Sequence, residues 1–581
     1  MIGHHAKREA GSTHLPRRRP QEVYRCKGGS FAAFLFLALL GNACGGGAGS
    51  GNSAGTIPET SQTPAASLGE TLDASTGGGQ SVGSSGTGVE SSQMGGTSQE
   101  SSFATALSTA HSPCIDAPPL PPGTVGANEV ADLSIPGSST NEFSGGQVTW
   151  IGDANGDGRD DLLIGSTGGS PVYLFFGREG WPSTLPVSNA DASWSALAGE
   201  PLSGVFIAPA GDLNHDGFAD ILFRNSSTQE GCAIFLWYGG ASGWRNGFDL
   251  TESPVSFVSE NGAPIDWLEA KGAGDLDGDQ IDDFLVRANQ ADGSGRVYLF
   301  LSRRDDRHDW ETGMDLAAKA SFTFTIPGGG TIPEISASGV GDVNGDGFDD
   351  LLVGDPKNRA GGRNAGKLYL LLGRAQWPDR IEPSEVTTTI VGTQKSGFAG
   401  LTVAGAGDVD GDGLADFLVA AAPNLVTAHF FLVLGRREGW SQNLPLEAAA
   451  VADWTSAGTF DTPLSTTSIP IALAPLGRLD GDALEDFALA MRTYLFCPDG
   501  SLAAEILQVN VLHGKTTWSP GESMAQADRI IATTEDLGYV LPLIPGDAQG
   551  DGPTDLLLGS PSEHERAGVT YLLFGPDLET N

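Results

Sequence analysis

Asp342-Val343-Asn344-Gly345-Asp346-Gly347-Phe348-Asp349-Asp350 sets oxygen-bearing side chains at its first, third, fifth and ninth positions, with a glycine after the third donor. Alternate residues of a tight loop turn their oxygens inward, as a hard cation needs, and the glycine permits the sharp turn. The pattern Asp-x-Asx-x-Asp-x-x-x-Asp recurs from Asp153, Asp212, Asp275, Asp408 and Asp547, the last with Gln549 in place of Asx. A seventh, damaged copy opens on Arg478. Spacings run from 59 residues (Asp153 to Asp212) to 70 (Asp408 to Arg478). A lone Asp/Asn/Gly cluster is usually an ordinary turn. Recurrence in register at this period marks a repeat architecture, so one feature points to both metal and fold.

An EF-hand shares the opening of this loop but places a bidentate Glu at position 12 and continues into a helix. Position 12 here is Ile164, Phe223, Val286, Val353, Val419 or Leu558. The chain after the loop runs Asp350-Leu-Leu-Val-Gly354, Asp416-Phe-Leu-Val419 and Asp555-Leu-Leu-Leu-Gly559, short apolar runs that read as buried strands. A strand ending in Gly precedes each loop, as in Val148-Thr-Trp-Ile-Gly152. An aromatic-rich strand follows the buried one, as in Val172-Tyr-Leu-Phe-Phe-Gly177 or Leu368-Tyr-Leu-Leu-Leu-Gly373. A more polar fourth strand, such as Ser321–Ile326 or Thr387–Val391, closes the unit. Four antiparallel strands per repeat make a propeller blade, so the expected fold is an all-β, seven-bladed β-propeller spanning 128–581.

Phe-Gly signals (Gly397-Phe398-Ala399-Gly400), the Asp-rich loop and Gly-x-Pro after the buried strand (Gly354-Asp-Pro356, Gly559-Ser-Pro561) together resemble the FG-GAP repeat. That repeat builds the propeller of integrin alpha subunits and of many bacterial secreted proteins. The Phe-Gly and Gly-x-Pro elements occur in only some repeats, and nothing corresponds to the leg or inserted domains that integrins add. The resemblance implies calcium between the first two strands of a blade, held by side chains 1, 3, 5 and 9 and the backbone carbonyl of position 7. The implied ligand sets are Asp153, Asn155, Asp157, Arg159 and Asp161; Asp212, Asn214, Asp216, Phe218 and Asp220; and Asp275, Asp277, Asp279, Ile281 and Asp283. The remaining three are Asp342, Asn344, Asp346, Phe348 and Asp350; Asp408, Asp410, Asp412, Leu414 and Asp416; and Asp547, Gln549, Asp551, Pro553 and Asp555. Four to six ions are expected. Gln280, where other loops have the turn glycine, weakens the third loop through backbone strain. Gln549 is one methylene too long, and Pro553 still offers a carbonyl. At the damaged copy, Arg478 is expected to pair with Asp480, Asp482 and Asp486 in place of an ion.

No Gly-x-Ser-x-Gly elbow, His-Glu-x-x-His, P-loop or zinc-type Cys/His spacing is present. His215, His308, His429, His513 and His564 are scattered, and each is expected to be structural. A binding or adhesion module for a protein or glycan, working as a monomer, is therefore favoured. The alternatives are a propeller-fold polysaccharide lyase or glycosidase, and a scaffold without a ligand. The connections 303–320 and 494–504 are the expected places for ligand contacts.

The first 29 residues are basic and precede Phe31–Leu40, an apolar run too short to span a bilayer. Small residues then lead to Cys44 and Gly45-Gly46-Gly47. This reads as an export signal ending in a lipobox-like site with Cys44 lipidated, or as ordinary signal cleavage, the usual Leu being replaced by Gly41. Residues 45–127, rich in Gly, Ser and Thr, bury too little to offset chain entropy and read as a tether of about 50 Å. With 72 acidic against 32 basic residues, a formal charge of −40 argues against nucleic acid or anionic lipid as partners. Localisation is expected to be the outer membrane or cell surface through a lipid anchor, otherwise periplasmic or secreted. Cys114, Cys232 and Cys497 are odd in number and far apart, so no disulfide framework is implied. After Gly575 too few residues remain for a fourth strand, while Ala131–Ile135 alternates like one. An unpaired edge is a liability, so residues near 130–135 are expected to complete the last blade.

Overall fold

The computed structural model describes residues 120–575 apart from 122–123, 141, 167–170, 198–199, 202–204, 229–230, 259–264, 291–293, 303–309, 328–334, 457–463, 534–544 and 562. Cys44, the signal and the tether lie outside the described residues.

Seven sheets follow one another along the chain, one per repeat. In blade 4 the strands Ser336–Gly339, Leu351–Asp355, Lys367–Leu371 and Thr388–Val391 pair in sequence order, all antiparallel. Leu351, Leu352 and Val353 are wholly enclosed because a blade's second strand is covered on both faces by neighbouring blades. Aliphatic clusters alternate accordingly between blades; one joins Leu352, Leu368 and Ile390 of blade 4 to Val403, Phe417 and Val419 of blade 5.

The blades are not purely four-stranded. Leu444–Pro445 of blade 5 pairs in parallel with Thr388–Val391 of blade 4, and Met314–Asp315 does the same beside Val255–Val258. Blades 2 to 6 each lend a two-residue strand to the outer edge of the predecessor, followed in all but blade 4 by a single helical turn such as Leu446–Ala449; blade 1 offers blade 7 the single bridge Ser134–Thr184. The edge that a four-strand count leaves open is covered in this way.

The same module closes the ring from the other end of the chain. Thr124–Val125 pairs in parallel with Arg529–Thr533 of blade 6, Ala127–Val130 forms the helical turn, and Leu133–Pro136 becomes the outer strand of blade 7. Leu133 opposes Leu572, Ile135 opposes Thr570, and both side chains are fully buried. The clasp expected near 130–135 is present and longer, beginning at Thr124.

Three expectations need correction. Residues 494–504 are not a loop: Asp486–Phe496 and Leu502–Leu512 form one long hairpin with its own small core of Leu495, Cys497 and Ile506. Within the expected connection 303–320, Trp310 packs edge-on against Phe257, Phe284 and Phe300, and Met314–Asp315 and Leu316–Lys319 form a short strand and a helical turn. Cys497 is disulfide-bonded, so one staple exists where cysteine spacing implied none. Spacing carries no record of which distant segments the fold brings together.

Candidate metal centre

In blade 4 both carboxylate oxygens of Asp342 are pinned by the loop itself. Oδ1 accepts from the backbone N–H of Gly345 (2.6 Å) and Asp346 (3.1 Å), and Oδ2 from Gly347 (2.8 Å). Asn344 donates its amide to Asp346 (3.0 Å), whose other oxygen accepts from Phe348 N (3.1 Å). Asp350, fully buried, accepts from Val343 N (3.1 Å) and from Gly373 N on the third strand (2.8 Å). The pattern repeats closely. Asp161, Asp220, Asp283, Asp416 and Asp555 bond to Gly177, Gly239, Ser302, Gly435 and Gly575 in the same way. Positions 4 and 6 take left-handed backbone in all six intact loops, as at Gly345 and Gly347 (φ 76° and 89°).

Such loops concentrate like charge. Burial pushes Asp161, Asp220 and Asp283 up to about 8, backbone N–H bonds offset part of this, and the loop's other carboxylates add to it. Asp350, Asp416 and Asp555 are raised to about 7 for the same reasons. Carboxylate oxygens of Asp275, Asp277 and Asp279, and of Asp408, Asp410 and Asp416, lie within 4.8 Å of one another. All-oxygen donors held at this spacing by their own backbone fit a hard divalent cation, which would supply the missing counter-charge.

Position 7, expected to contribute only its carbonyl, also makes a contact through its side chain. Its side chain leans over the position-4 glycine of the preceding blade: a Cβ on Gly156 would meet Phe218 at 2.5 Å, one on Gly278 would meet Phe348 at 2.5 Å, and one on Gly345 would meet Leu414 at 2.9 Å. Backbone bonds run alongside, from Asp349 N to Asp275 O (3.0 Å), Ala415 N to Asp342 O (3.0 Å) and Glu485 N to Asp408 O (3.1 Å). Asp160 N to Asp547 O (3.1 Å) closes the circle from blade 1 to blade 7. Position-8 carboxylates add to this ring, Asp349 Oδ2 accepting from Asp275 N (2.9 Å). The loops are thus also the joints between blades. Nothing within a single repeat signals this, because each contact joins residues one period apart.

The weaker copies differ as chemistry requires. Gln280 holds position 6 of the third loop at φ 69°, the strain foreseen for a side chain there. Asn344 and its counterparts at position 3 bond to position 5, whereas Gln549 meets Arg159 only through its backbone carbonyl (3.0 Å). The expected role of Arg478 is not realised. Among the described residues it forms no ion pair with Asp480, Asp482 or Asp486; its charge bears instead on Glu485 at position 8, partly offsetting the rise that burial gives that carboxyl. His513 stands there instead, its Nδ1 3.5 Å from Asp480 and 3.4 Å from Asp486. One turn residue also lacks the usual conformation, since Ala483 replaces the glycine of position 6.

Residues 335–371, the inner strand, loop and next two strands of blade 4, match the FG-GAP repeat. The chain is a seven-bladed β-propeller that carries an FG-GAP repeat in blade 4. It is 38% identical over 202 residues to integrin alpha-IIb of Mus musculus, covering 31% of this chain and 18% of that protein. With integrin alpha-7 of Homo sapiens it shares 28% identity over 149 residues, or 23% and 11% of the two chains. Phosphatidylinositol-glycan-specific phospholipase D of Dictyostelium discoideum is 26% identical over 184 residues, or 27% and 18%. The chain therefore spans less than a fifth of the length of these relatives. Among the described residues no helix is long and apolar enough to cross a membrane.

The FG-GAP elements that appear in only some repeats prove to be two halves of one contact. Phe398 of blade 5, at φ 54°, donates its N–H to Asn364 O of blade 4 (3.0 Å), and Gly400 O lies 2.4 Å from where a Cβ of Gly354 would be. Phe143 of blade 1, at φ 56°, donates to Arg566 O of blade 7 (2.9 Å), and Gly145 O lies 2.1 Å from a Cβ on Gly559. Each Gly-x-Pro glycine is matched to a Phe-Gly corner on the next blade. In blades 2 and 3 the glycine is replaced by Arg224 and Arg287.

Proposed function

We propose that this β-propeller is a calcium-stabilised extracytoplasmic binding module for a protein or glycan, held at the cell envelope through Cys44. The observation that carries the proposal is the division between the two ends of the blades. The end bearing the Asp loops repeats one geometry around the ring, so its residues serve the ion and the joints. The opposite end carries connections that differ in length and chemistry from blade to blade, among them the long hairpin tipped by Cys497–Ser501. Ligand specificity usually resides in such variable connections on a rigid scaffold. The similarity to integrin alpha subunits supports an adhesive role, and −40 of net charge favours an uncharged glycan or a basic protein surface.

A second reading rests on the phospholipase-type relative: the propeller would then present substrate to a hydrolytic reaction. A glycan array and a pull-down from envelope extracts, each with calcium and with chelator, test both. Calcium-dependent retention without turnover supports the binding module. Cleavage of a retained polysaccharide or glycolipid would replace it with the enzyme. Release of Cys44→Ala from the membrane fraction tests the anchor.

A further inference from the structure

Blade 6 departs from the other blades at two places that meet in space. The first residue of its loop is Arg478 instead of Asp, which removes the carboxylate that organises every intact loop. On its third strand, the residue before the loop-facing glycine is His513, where the other six blades have Phe176, Tyr238, Leu301, Leu372, Leu434 and Phe574. One hard oxygen donor has gone and one imidazole has arrived, within the same few ångströms.

The geometry there is that of a ligand set. Nδ1 of His513 is enclosed, with Asp480 Oδ2 and Asp486 Oδ1 3.5 and 3.4 Å away; without an ion, its interaction with Asp486 pushes the imidazole up to about 9. Those distances are long for charge-assisted hydrogen bonds, which run at about 2.7–2.9 Å. They do suit neighbouring ligands of one tetrahedral ion: bonds of about 2.0–2.1 Å to N and O set ligands about 3.3–3.5 Å apart. Both carboxylates are already oriented by backbone. Asp486 accepts from Leu479 N (2.8 Å) and Gly514 N (2.9 Å), and Asp480 Oδ1 accepts from Asp482 N (2.9 Å), leaving Oδ2 turned toward the imidazole. The backbone N–H of His513 is fixed by Asp528 (2.8 Å).

We propose that Asp480, Asp486 and His513 bind a borderline divalent ion of the zinc class, through two carboxylate oxygens and Nδ1, with the fourth position open to water. Imidazole favours such ions over calcium, whereas the six all-oxygen loops favour the reverse. The ring therefore carries two metal specificities, and blade 6 keeps its loop-to-strand bridge by changing the donor rather than by doing without an ion. The open position is half-buried, with side-chain exposures of 27% for His513 and 17% for Asp480, so a carboxylate or water from outside reaches it.

The test is a zinc titration of the full chain in excess calcium, with heat and Co2+ absorption as readouts. One zinc equivalent is expected above the calcium background, and Co2+ should give the intense visible bands of a tetrahedral site. His513→Ala should remove that equivalent and those bands while leaving calcium-dependent melting unchanged. Arg478→Asp combined with His513→Leu should instead add one calcium equivalent. No zinc equivalent in the parent protein, or one that survives His513→Ala, overturns the site. So does an imidazole whose NMR signals titrate identically with and without zinc, since His513 would then be a protonated partner of Asp486.

Discussion

The two ends of the propeller are built on opposite principles. At the Asp-loop end, blades 4 and 5 repeat the same bonds: Asp342 and Asp408 each accept from positions 4, 5 and 6 of their loops, within about 0.1 Å of one another. At the far end, the Phe-Gly corner grips its neighbour at the 4/5 and 7/1 interfaces, while blades 2 and 3 have arginine where the grip needs glycine. A feature repeated in six of seven blades serves the ring as a whole, and a feature found at two interfaces serves those interfaces alone. Stability is therefore expected to depend mainly on the loop end, and ligand choice on the far end.

Removing the ions should break this contrast most severely. A ligand at a hundred times its dissociation constant contributes about 2.7 kcal/mol per site, so several loops together rival the whole stability of a domain. Because each loop also joins two blades, chelation should lower the melting temperature by tens of degrees, about ten times the effect of losing any one far-end contact. A melting curve indifferent to chelator would remove the metal from the account while leaving the propeller intact.

The ring closure comes next. Deleting residues up to Ser138 removes Leu133 and Ile135, both fully buried, and exposes the edge of Val569–Leu573. Loss of two buried aliphatics costs at least about 4 kcal/mol before the lost strand pairing is counted. The truncated chain should melt well below the parent with calcium present. Equal melting would mean the clasp holds nothing.

Protons should reveal the loop end a third way. In the metal-free protein Asp161, Asp220 and Asp283 are held at about 8, and Asp350, Asp416 and Asp555 at about 7, all above the ordinary 3.8. Each carboxyl keeps its proton more tightly folded than unfolded, so protonation favours the fold. That contribution is complete below about pH 4 and is lost as pH rises through 7 to 8. Metal-free protein should accordingly melt lower at pH 8 than at pH 5.5, and calcium should reverse the trend. Calcium binding near pH 6 should release protons, seen as a buffer-dependent heat. No release would mean these carboxyls are already ionised.

How much of this could be read in the chain follows from the range of each interaction. The Asp loop and the strand Leu351-Leu-Val353 are local, with donors and apolar residues at fixed offsets, so blade number and loop position were readable. The clasp was readable because a missing strand and a spare one can be counted, but its start at Thr124 was not, since the lent two-residue strand has no pattern of its own. His513 went unrecognised as a loop neighbour because 27 residues separate it from Asp486. Only the fold brings His513 of the third strand against Asp480 and Asp486. The charge of Arg478 points to the carboxylates of positions 3, 5 and 9, whereas in the fold it bears on Glu485 at position 8.

The smallest effects should separate the two ends by mechanism, through two glycines seven residues apart. Gly347 lies in the loop at φ 89° with open space around a would-be Cβ, so a side chain there meets only the cost of left-handed backbone. Asn tolerates that conformation, and Gln280 already occupies the equivalent position at φ 69°, so Gly347→Asn should cost less than about 1 kcal/mol. Gly354 has no such conformational demand. A Cβ there would lie 2.4 Å from both Gly400 O and Ser336 Oγ, and Gly400 O belongs to the Phe-Gly corner of the next blade. Backbone cannot yield there without parting blades 4 and 5, so Gly354→Ala should cost about 1–3 kcal/mol despite being the smaller change. Denaturant unfolding in saturating calcium measures both. If Gly347→Asn proves the more damaging, the far-end grip is ornamental and the loop alone holds blades 4 and 5 together.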